Sequence, residues 1–490
     1  MGKPFTFLHI SDLHRSELDP ISNEELISAL VCDRDRYVVE NPNICVPEAI
    51  IVSGDIIQGV PLGTPNFKAE LVKQYAVAER FLDELAKRFV SGDRSRVIIV
   101  PGNHDVDWNT AFSAMQVVDP SNIPNFGRLL RSERSEYRLD YNTCKAYRII
   151  DSSLYEQRLA SFWEFFERFY AGVKGLLKVN SYSDANLFSL HGGRIGVAAF
   201  NSCEGNDCFA FHGMIRREAI ANSYLELQDR GIFDLRIAVW HHNIEGNPHR
   251  TDYMDVDIVR GMIGRNFRLG LYGHQHKAQA APYQIWSPDT ERMAVVSAGS
   301  LCAGRNDLPL GTTRQYNILE ISEDLLNVKV HVREMYIANL FSKGRFIELG
   351  GNSFVELGWE SPKNAVGLPK NTTISRKQST IIHAERAAKE GDYVSAVMML
   401  KEIDLPVNGY ERDLYLTVLR ETQDWKEIIR VTEPPQNIKE LTIRVEAYAK
   451  IGDFQKARET LVAYSPSVNL PEAEIHRLRQ WIDFLTLMKL

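Results

Sequence analysis

From Phe5 to about Leu319, short β-branched runs alternate with stretches of helical periodicity, and most runs end in a polar cluster. This rhythm predicts an α/β domain. The clearest strands are expected from Phe5 to Ile10, Ala49 to Val52, Val97 to Val100, Arg194 to Phe200, Leu235 to Trp240, Arg268 to Tyr272 and Met293 to Ser297. Each is followed within a few residues by Asp, Asn, His or Gly, and polar residues just past strand ends are where α/β proteins place ligands.

The alternation breaks between Asp107 and about Asn186, where helical periodicity dominates and the aromatic segment Phe162–Tyr170 stands out. An insertion forming a cap is expected there. Within it Arg128, Arg131, Arg134 and Arg138 share a face if the segment is one helix, with Glu133 and Glu136 pointing elsewhere. Such a strip is either a solvated helix face or a row of contacts to a phosphate backbone.

From Glu360 to about Gln378 the composition shifts to Pro, Asn, Ser, Thr and Lys without hydrophobic periodicity, which marks a linker. The domains are therefore expected at 1–359 and 380–490, joined by 360–379. Beyond the linker the pattern is all-helical and self-similar. Ala388, Gly391, Tyr393, Ala396 and Leu400 recur 61 residues later as Ala449, Gly452, Phe454, Ala457 and Leu461, and Trp425 sits between the copies, so the period is close to 30 residues. This region resembles tetratricopeptide-type helical hairpins, in which small residues let paired helices approach and an aromatic fills the gap. Such repeats imply a protein partner or a buttress for the preceding domain.

Length and composition narrow the class. At 490 residues, with 44% hydrophobic and 25% charged side chains, the chain has the profile of a globular protein with a large core. No apolar run is long enough to span a membrane. The net charge of -7 argues against a general nucleic-acid binder, leaving room for a local basic groove. Six scattered cysteines, with no secretory signal ahead of the first motif, fit reduced thiols and a cytoplasmic location.

Candidate chemistry lies at the strand ends. Ser11-Asp12-Leu13-His14, Ser53-Gly54-Asp55, Gly102-Asn103-His104-Asp105, Trp240-His241-His242-Asn243 and Gly273-His274-Gln275-His276 each place metal-ligand side chains directly after an expected strand. Any one of these is weak alone. Five in order point to two divalent ions about 3.5–4 Å apart clamping a phosphoester, which requires a bridging carboxylate among neutral oxygen and nitrogen ligands.

Taken together, D-x-H, G-D, G-N-H-D, H and G-H-x-H in that order resemble the calcineurin-like metallophosphoesterases, over about residues 4–340. The resemblance implies an α/β fold, a metallophosphoesterase β-sandwich flanked by helices with a helical cap insertion. It implies that Asp12, His14 and His276 hold one metal, that Asn103, His241 and His274 hold a second, and that Asp55 bridges them. His104 would stand beside the substrate, donating a proton to the leaving oxygen or stabilising phosphoryl charge. His242 is either a support behind a ligand or a packed histidine. Four histidines among those seven ligands disfavour magnesium and calcium, and manganese fits best, with iron or zinc as alternatives.

Departures from the family narrow the substrate. Protein phosphatases of this superfamily carry a longer second motif with an Asp where Gln58 stands here, so activation of His104 must come from elsewhere, with Asp105 or Asp107 as candidates. Ala298-Gly299-Ser300 is similar to the Gly-Ser turn of the phosphodiesterase-like branch. The chain therefore reads as a phosphodiesterase acting on a nucleotide or nucleic acid. A DNA or RNA nuclease recruited by its helical repeats, or a scaffold whose repeats bind a partner, are the alternatives.

Overall fold

A computed structural model describes the chain except residues 1–2, 20, 131, 133, 142, 232, 245–251, 285–290, 305–307, 310–311, 337–338, 347–350, 360–379, 382, 385–386, 389–391, 404–409, 469, 471 and 488–490. The expected linker, Gly391, Arg131 and Glu133 thus lie outside the described residues. The chain divides into two compact units, Met1–Pro362 and Lys363–Leu490.

In chain order the strands of the first unit are β1 (Phe5–Ile10), β2 (Ala49–Ser53), β3 (Val97–Val100), β4 (Met115–Val118), β5 (Tyr137–Asp140), β6 (Lys145–Ile149), β7 (Ala185–Leu190) and β8 (Ile195–Phe200). They continue as β9 (Leu235–Val239), β10 (Leu269–Tyr272), β11 (Gln279–Gln284), β12 (Arg292–Ser297), β13 (Gln315–Ile321), β14 (Asn327–Met335), β15 (Phe341–Lys343) and β16 (Phe354–Gly358). One mixed sheet runs β15-β14-β13-β1-β2-β3, with β16 also on β14, and the other runs β11-β12-β10-β9-β8-β7. In each sheet the central pairs are parallel: β1 with β2 and β2 with β3 in the first, β8 with β9, β9 with β10 and β10 with β12 in the second.

The parallel strands β1, β2, β3, β8 and β10 are buried on both faces because both faces are covered. β1 and β8 are buried at every position. In β8, Val197 and Ala199 join a cluster that also takes Ile51 and Ile99 of the first sheet, so the two sheets close on one another as a sandwich. Ala198 and Phe200 point the other way, into a second cluster with Ile220 of α7 (Arg217–Arg230) and Val259 of α8 (Val256–Ile263). On the first sheet, α1 (Asn23–Arg34) and α2 (Phe67–Val90) contribute Leu26, Leu30, Phe81 and Leu85 to the central cluster.

Residues 107–186 contain α3 (Trp108–Ser113), α4 (Phe126–Leu130), α5 (Ser152–Glu156) and α6 (Ala160–Tyr170), together with a three-stranded antiparallel sheet, β4-β6-β5. On α6, Phe162, Phe165, Phe166 and Phe169 follow the i, i+3, i+4, i+7 spacing and are buried, while the charged Glu164, Glu167 and Arg168 lie on the other side. Burial of each phenyl ring stabilises by roughly 1.5–3 kcal/mol, which anchors the insertion on α2, where Phe165 stacks on Tyr75.

The arginine strip does not form. α4 ends at Leu130, and Arg138 lies on β5, buried, with Nε donating to Asp207 Oδ2 at 2.5 Å. Arg128 and Arg138 therefore occupy different elements and share no face. The charge spacing has helical period, but no apolar stripe accompanies it to drive helix formation.

The second unit holds α9 (Tyr393–Lys401), α10 (Tyr410–Glu421), α11 (Trp425–Val431), α12 (Ile438–Lys450), α13 (Phe454–Tyr464) and α14 (Glu472–Leu487), each packed on the next in sequence. Three of them start alike: Asp392, Asp424 and Asp453 cap α9, α11 and α13 by accepting the N–H of Ser395, Glu427 and Lys456. An aromatic residue follows each cap. The recurring Ala396, Leu400, Ala457 and Leu461 are fully buried. Among the described residues no helix is long and apolar enough to cross a membrane.

Candidate metal centre

The loops after β1, β2 and β3 of one sheet meet those after β9 and β10 of the other, bringing the carboxyl ends of parallel strands from both sheets to one place. The junction is stitched by backbone. The N–H groups of Leu13 and His14 donate to the carbonyl of Asp55, and Ser300 Oγ donates to the carbonyl of Asp12. Asp12, His14, Asp55, His274 and His276 all have φ between 45° and 76°, the left-handed region that non-glycine residues rarely occupy. Backbone held there across a single site is strain stored to aim side chains.

Two glycines are required by contact. Gly54 has φ 95°, and a Cβ there would fall 2.4 Å from His241 Nδ1. At Gly102 a Cβ would stand 2.2 Å from Asp55 Oδ1. The glycines of the two motifs are thus explained by the neighbouring side chains they let in.

The seven candidate ligands form two clusters. In the first, His14 Nε2 is 3.2 Å from His276 Nε2, and His276 Nε2 is 3.3 Å from Asp12 Oδ1. Asp12, His14, Asp55 and His276 each offer a ligand atom, all within 4.8 Å of one another. In the second, Asn103 Oδ1 is 3.0 Å from His241 Nε2 and 2.9 Å from His274 Nδ1, and those two nitrogens are 3.3 Å apart. Asp55 Oδ2 faces both, at 3.2 Å from His241 Nε2 and 3.8 Å from His14 Nε2.

These spacings fit metal ions. Donors about 2.1 Å from a common ion stand about 3.0–3.4 Å from one another in octahedral or tetrahedral arrangement. Asp12 Oδ1, which faces the cluster, is buried without a hydrogen-bond partner. Four imidazoles, two carboxylates and one amide oxygen make a donor set for a borderline divalent ion. His241 Nδ1 donates to the carbonyl of Ser53 at 2.7 Å, which leaves the Nε2 lone pair turned into the cluster.

Electrostatics point the same way. Burial opposes the charge on Asp12, but the adjacent His276 outweighs it and lowers the carboxyl to about 2. Asp55 is likewise buried and held well below the usual carboxylate range by His241, His104 and His14. His14 is pushed down to about 3 by burial and by His104, so it is a neutral imidazole. Burial disfavours the charged form of His241, yet Asp55 raises it to about 9. A proton on His241 and a cation in the cluster compete for the same lone pair.

His104 is half-buried, and its Nδ1 donates to the backbone carbonyl of Gln58 at 2.7 Å. The expected support from Asp105 or Asp107 is not found. Asp105 is buried and accepts from the N–H of Gly102 and Ile56 and from Tyr75 O–H, locking the β2 and β3 loops together. Asp107 caps α3 through the N–H groups of Asn109 and Thr110. Both carboxyl groups are occupied by backbone N–H groups together with the hydroxyls of Tyr75 and Thr110, and a main-chain carbonyl orients the histidine instead.

His242 does not face either cluster with a free nitrogen: Nδ1 lies 2.9 Å from Ser202 Oγ and Nε2 3.1 Å from Asn206 Nδ2. Ser202 and Asn206 were not singled out from the sequence, although they follow the end of β8 as the other polar clusters follow their strands. The cysteines are free thiols, with Cys203 and Cys208 buried.

Residues 5–278 match the family model described as calcineurin-like phosphoesterase. No curated protein matches the chain. Among solved structures, the chain is similar to Vps29 from Chaetomium thermophilum, at 9% identity and a TM-score of 0.27, covering 73% of this chain and 100% of that one. It is also similar to the calcineurin-like phosphoesterase YfkN from Bacillus subtilis, at 11% identity and a TM-score of 0.26, covering 73% of this chain and 91% of that one.

Proposed function

Because the chain belongs to the calcineurin-like phosphoesterase family, we propose that it is a dinuclear metal-dependent phosphodiesterase acting on nucleotides or nucleic acid. The observation that carries this reading is Asp55 Oδ2, which faces His14 Nε2 on one side and His241 Nε2 on the other. In this reading Asp12, His14 and His276 hold one ion, Asn103, His241 and His274 hold the second, and Asp55 bridges. Manganese suits the imidazole-rich set, with iron and zinc as alternatives. When bound, two such ions polarise the phosphoryl oxygens and lower the pKa of a water nucleophile.

The chain's own groups do the rest. His104, with Nδ1–H tied to Gln58, presents Nε2 outward to hydrogen-bond the substrate, protonating the leaving oxygen or stabilising phosphoryl charge. Gln58 in place of an acidic residue favours diesters over phosphoprotein substrates. Burial of Arg138 in an ion pair with Asp207 removes part of the basic strip that spoke for a polymer, and this tilts the reading toward a small nucleotide. The second unit is read as tetratricopeptide-like helices that recruit a protein partner, supported by the shared Asp-aromatic helix starts at Asp392, Asp424 and Asp453. Free cysteines suit a reducing, cytoplasmic setting.

The test is hydrolysis, with added manganese, of labelled linear DNA, labelled RNA and a panel of cyclic nucleotides side by side, with Asp55→Ala as control. Cleavage of cyclic nucleotides alone supports the small-substrate reading. Cleavage of the polymers alone makes the protein a nuclease. No cleavage of any of them, with metal bound, overturns the phosphodiesterase reading and favours the scaffold.

A further inference from the structure

His241 turns Nε2 toward the second cluster, and what stands behind it comes from another strand. Ser202, two residues past β8, is fully buried, and its Oγ accepts the backbone N–H of His241 at 3.2 Å and of His242 at 3.3 Å. Asn206 Nδ2 donates to His242 Nε2 at 3.1 Å and to the carbonyl of His212 at 3.4 Å. Nε2 of His242 is therefore an acceptor, and Nδ1 carries the ring proton toward Ser202 Oγ. Held in that tautomer, the His242 ring backs both imidazoles of the second cluster, with centroids 5.3 Å from His241 and 5.0 Å from His274.

The turn that carries Ser202 and Asn206 is gripped by the insertion. Arg158 is buried, and its Nε donates to the carbonyl of Asn206 at 3.0 Å, while Nη2 reaches the carbonyls of Cys203 and Glu204. Its Nη1 donates to the carbonyl of Tyr155, and its guanidinium lies 4.2 Å over the Tyr155 ring. The next residue of the turn, Asp207, accepts from Arg138 Nε at 2.5 Å and from Tyr155 O–H at 2.7 Å. A planar guanidinium presents its donors in fixed directions, so it sets several carbonyls at once.

We propose that Arg158, Asn206 and Ser202 are positioning residues for the second metal subsite. Arg158 of the insertion fixes the turn, Asn206 selects the His242 tautomer, and Ser202 with His242 orients His241 and His274. The inference rests on the dinuclear reading above and gives the insertion a part in assembling the centre. Partners of this kind behind a ligating imidazole carry about 10–100-fold in metal affinity.

The experiment is a calorimetric titration of metal-stripped, full-length protein with manganese, for wild type, Asn206→Leu, Ser202→Ala, Ser202→Thr and Arg158→Lys, each checked for native far-UV circular dichroism. Wild type is expected to take two ions. Asn206→Leu, Ser202→Ala and Arg158→Lys should keep one ion at wild-type affinity and bind the other about 10–100-fold more weakly. Ser202→Thr, which keeps the hydroxyl, should titrate like wild type. Raising manganese should restore turnover in the weakened variants with the KM for substrate unchanged. Wild-type titration curves in the folded variants would overturn the inference while leaving the dinuclear reading intact; fewer than two ions in wild type would overturn that reading and the inference with it.

Discussion

Asp55 Oδ1 accepts the backbone N–H of His104 at 2.9 Å, while Oδ2 of the same carboxylate faces both ligand clusters. One side chain thus fixes the turn that aims His104 and supplies the negative charge between the two proposed ions. Asp55→Asn keeps an oxygen for the His104 N–H and loses the charge. It should fold, lose metal, and drop diester hydrolysis by more than about 10²-fold, since several kcal/mol of charge stabilisation depend on the ions. Elemental analysis alongside a chromogenic diester assay checks this, and metal retained at the wild-type level would count against the bridging role.

The support for His104 is a carbonyl, so it belongs to the main chain at Gln58 and not to its exposed side chain. Gln58→Ala should therefore leave turnover within roughly twofold of wild type, as expected for a surface change. His104→Ala should retain bound metal and lower turnover about 10²–10⁴-fold, the range for loss of a general acid. Steady-state kinetics on both variants separates main-chain from side-chain support.

Gly102 shows how a motif glycine is forced by its neighbours. A Cβ there would lie 2.4 Å from the Asp55 backbone nitrogen as well as 2.2 Å from its Oδ1, and backbone cannot swing aside as a long side chain can. Gly102→Ala should destabilise the first unit by about 1–3 kcal/mol, the usual cost of overpacking, and weaken metal uptake with it. Denaturant unfolding with and without manganese reads both effects.

The strands were legible because each is a short apolar run closed by a turn residue. Val97–Val100, followed by Pro101-Gly102, is found where the pattern places it. The insertion was harder. β4 and β5 are short and partly exposed, so neither alternation nor a continuous apolar run marks them, and the arginine spacing from Arg128 to Arg138 describes a shared face only if the segment is one helix. The convergence of the seven candidate ligand side chains was legible for a physical reason: each follows a strand end in an α/β sheet, where chain geometry collects them. What holds those side chains was not. The carbonyls of Ser53 and Gln58 orient His241 and His104, and a backbone oxygen carries no signature in the sequence.

The second unit offers a test of its own periodicity. Asp424 and Asp453 each cap a helix that starts with an aromatic residue, and each accepts the N–H three residues on. Loss of an N-cap carboxylate leaves an orphan amide donor at the first turn and costs about 0.5–2 kcal/mol. Asp424→Ala and Asp453→Ala should each lower the unfolding transition of the second unit by that amount in the full-length protein. Any hydrolysis by the first unit should stay at the wild-type level, because the candidate ligands and His104 come from residues 12–276. Far-UV melting of the two variants, with the diester assay run on the same samples, separates the units. If either substitution lowered turnover as much as it lowered stability, the helices would be supporting the catalytic unit directly, and recruitment alone would no longer account for them.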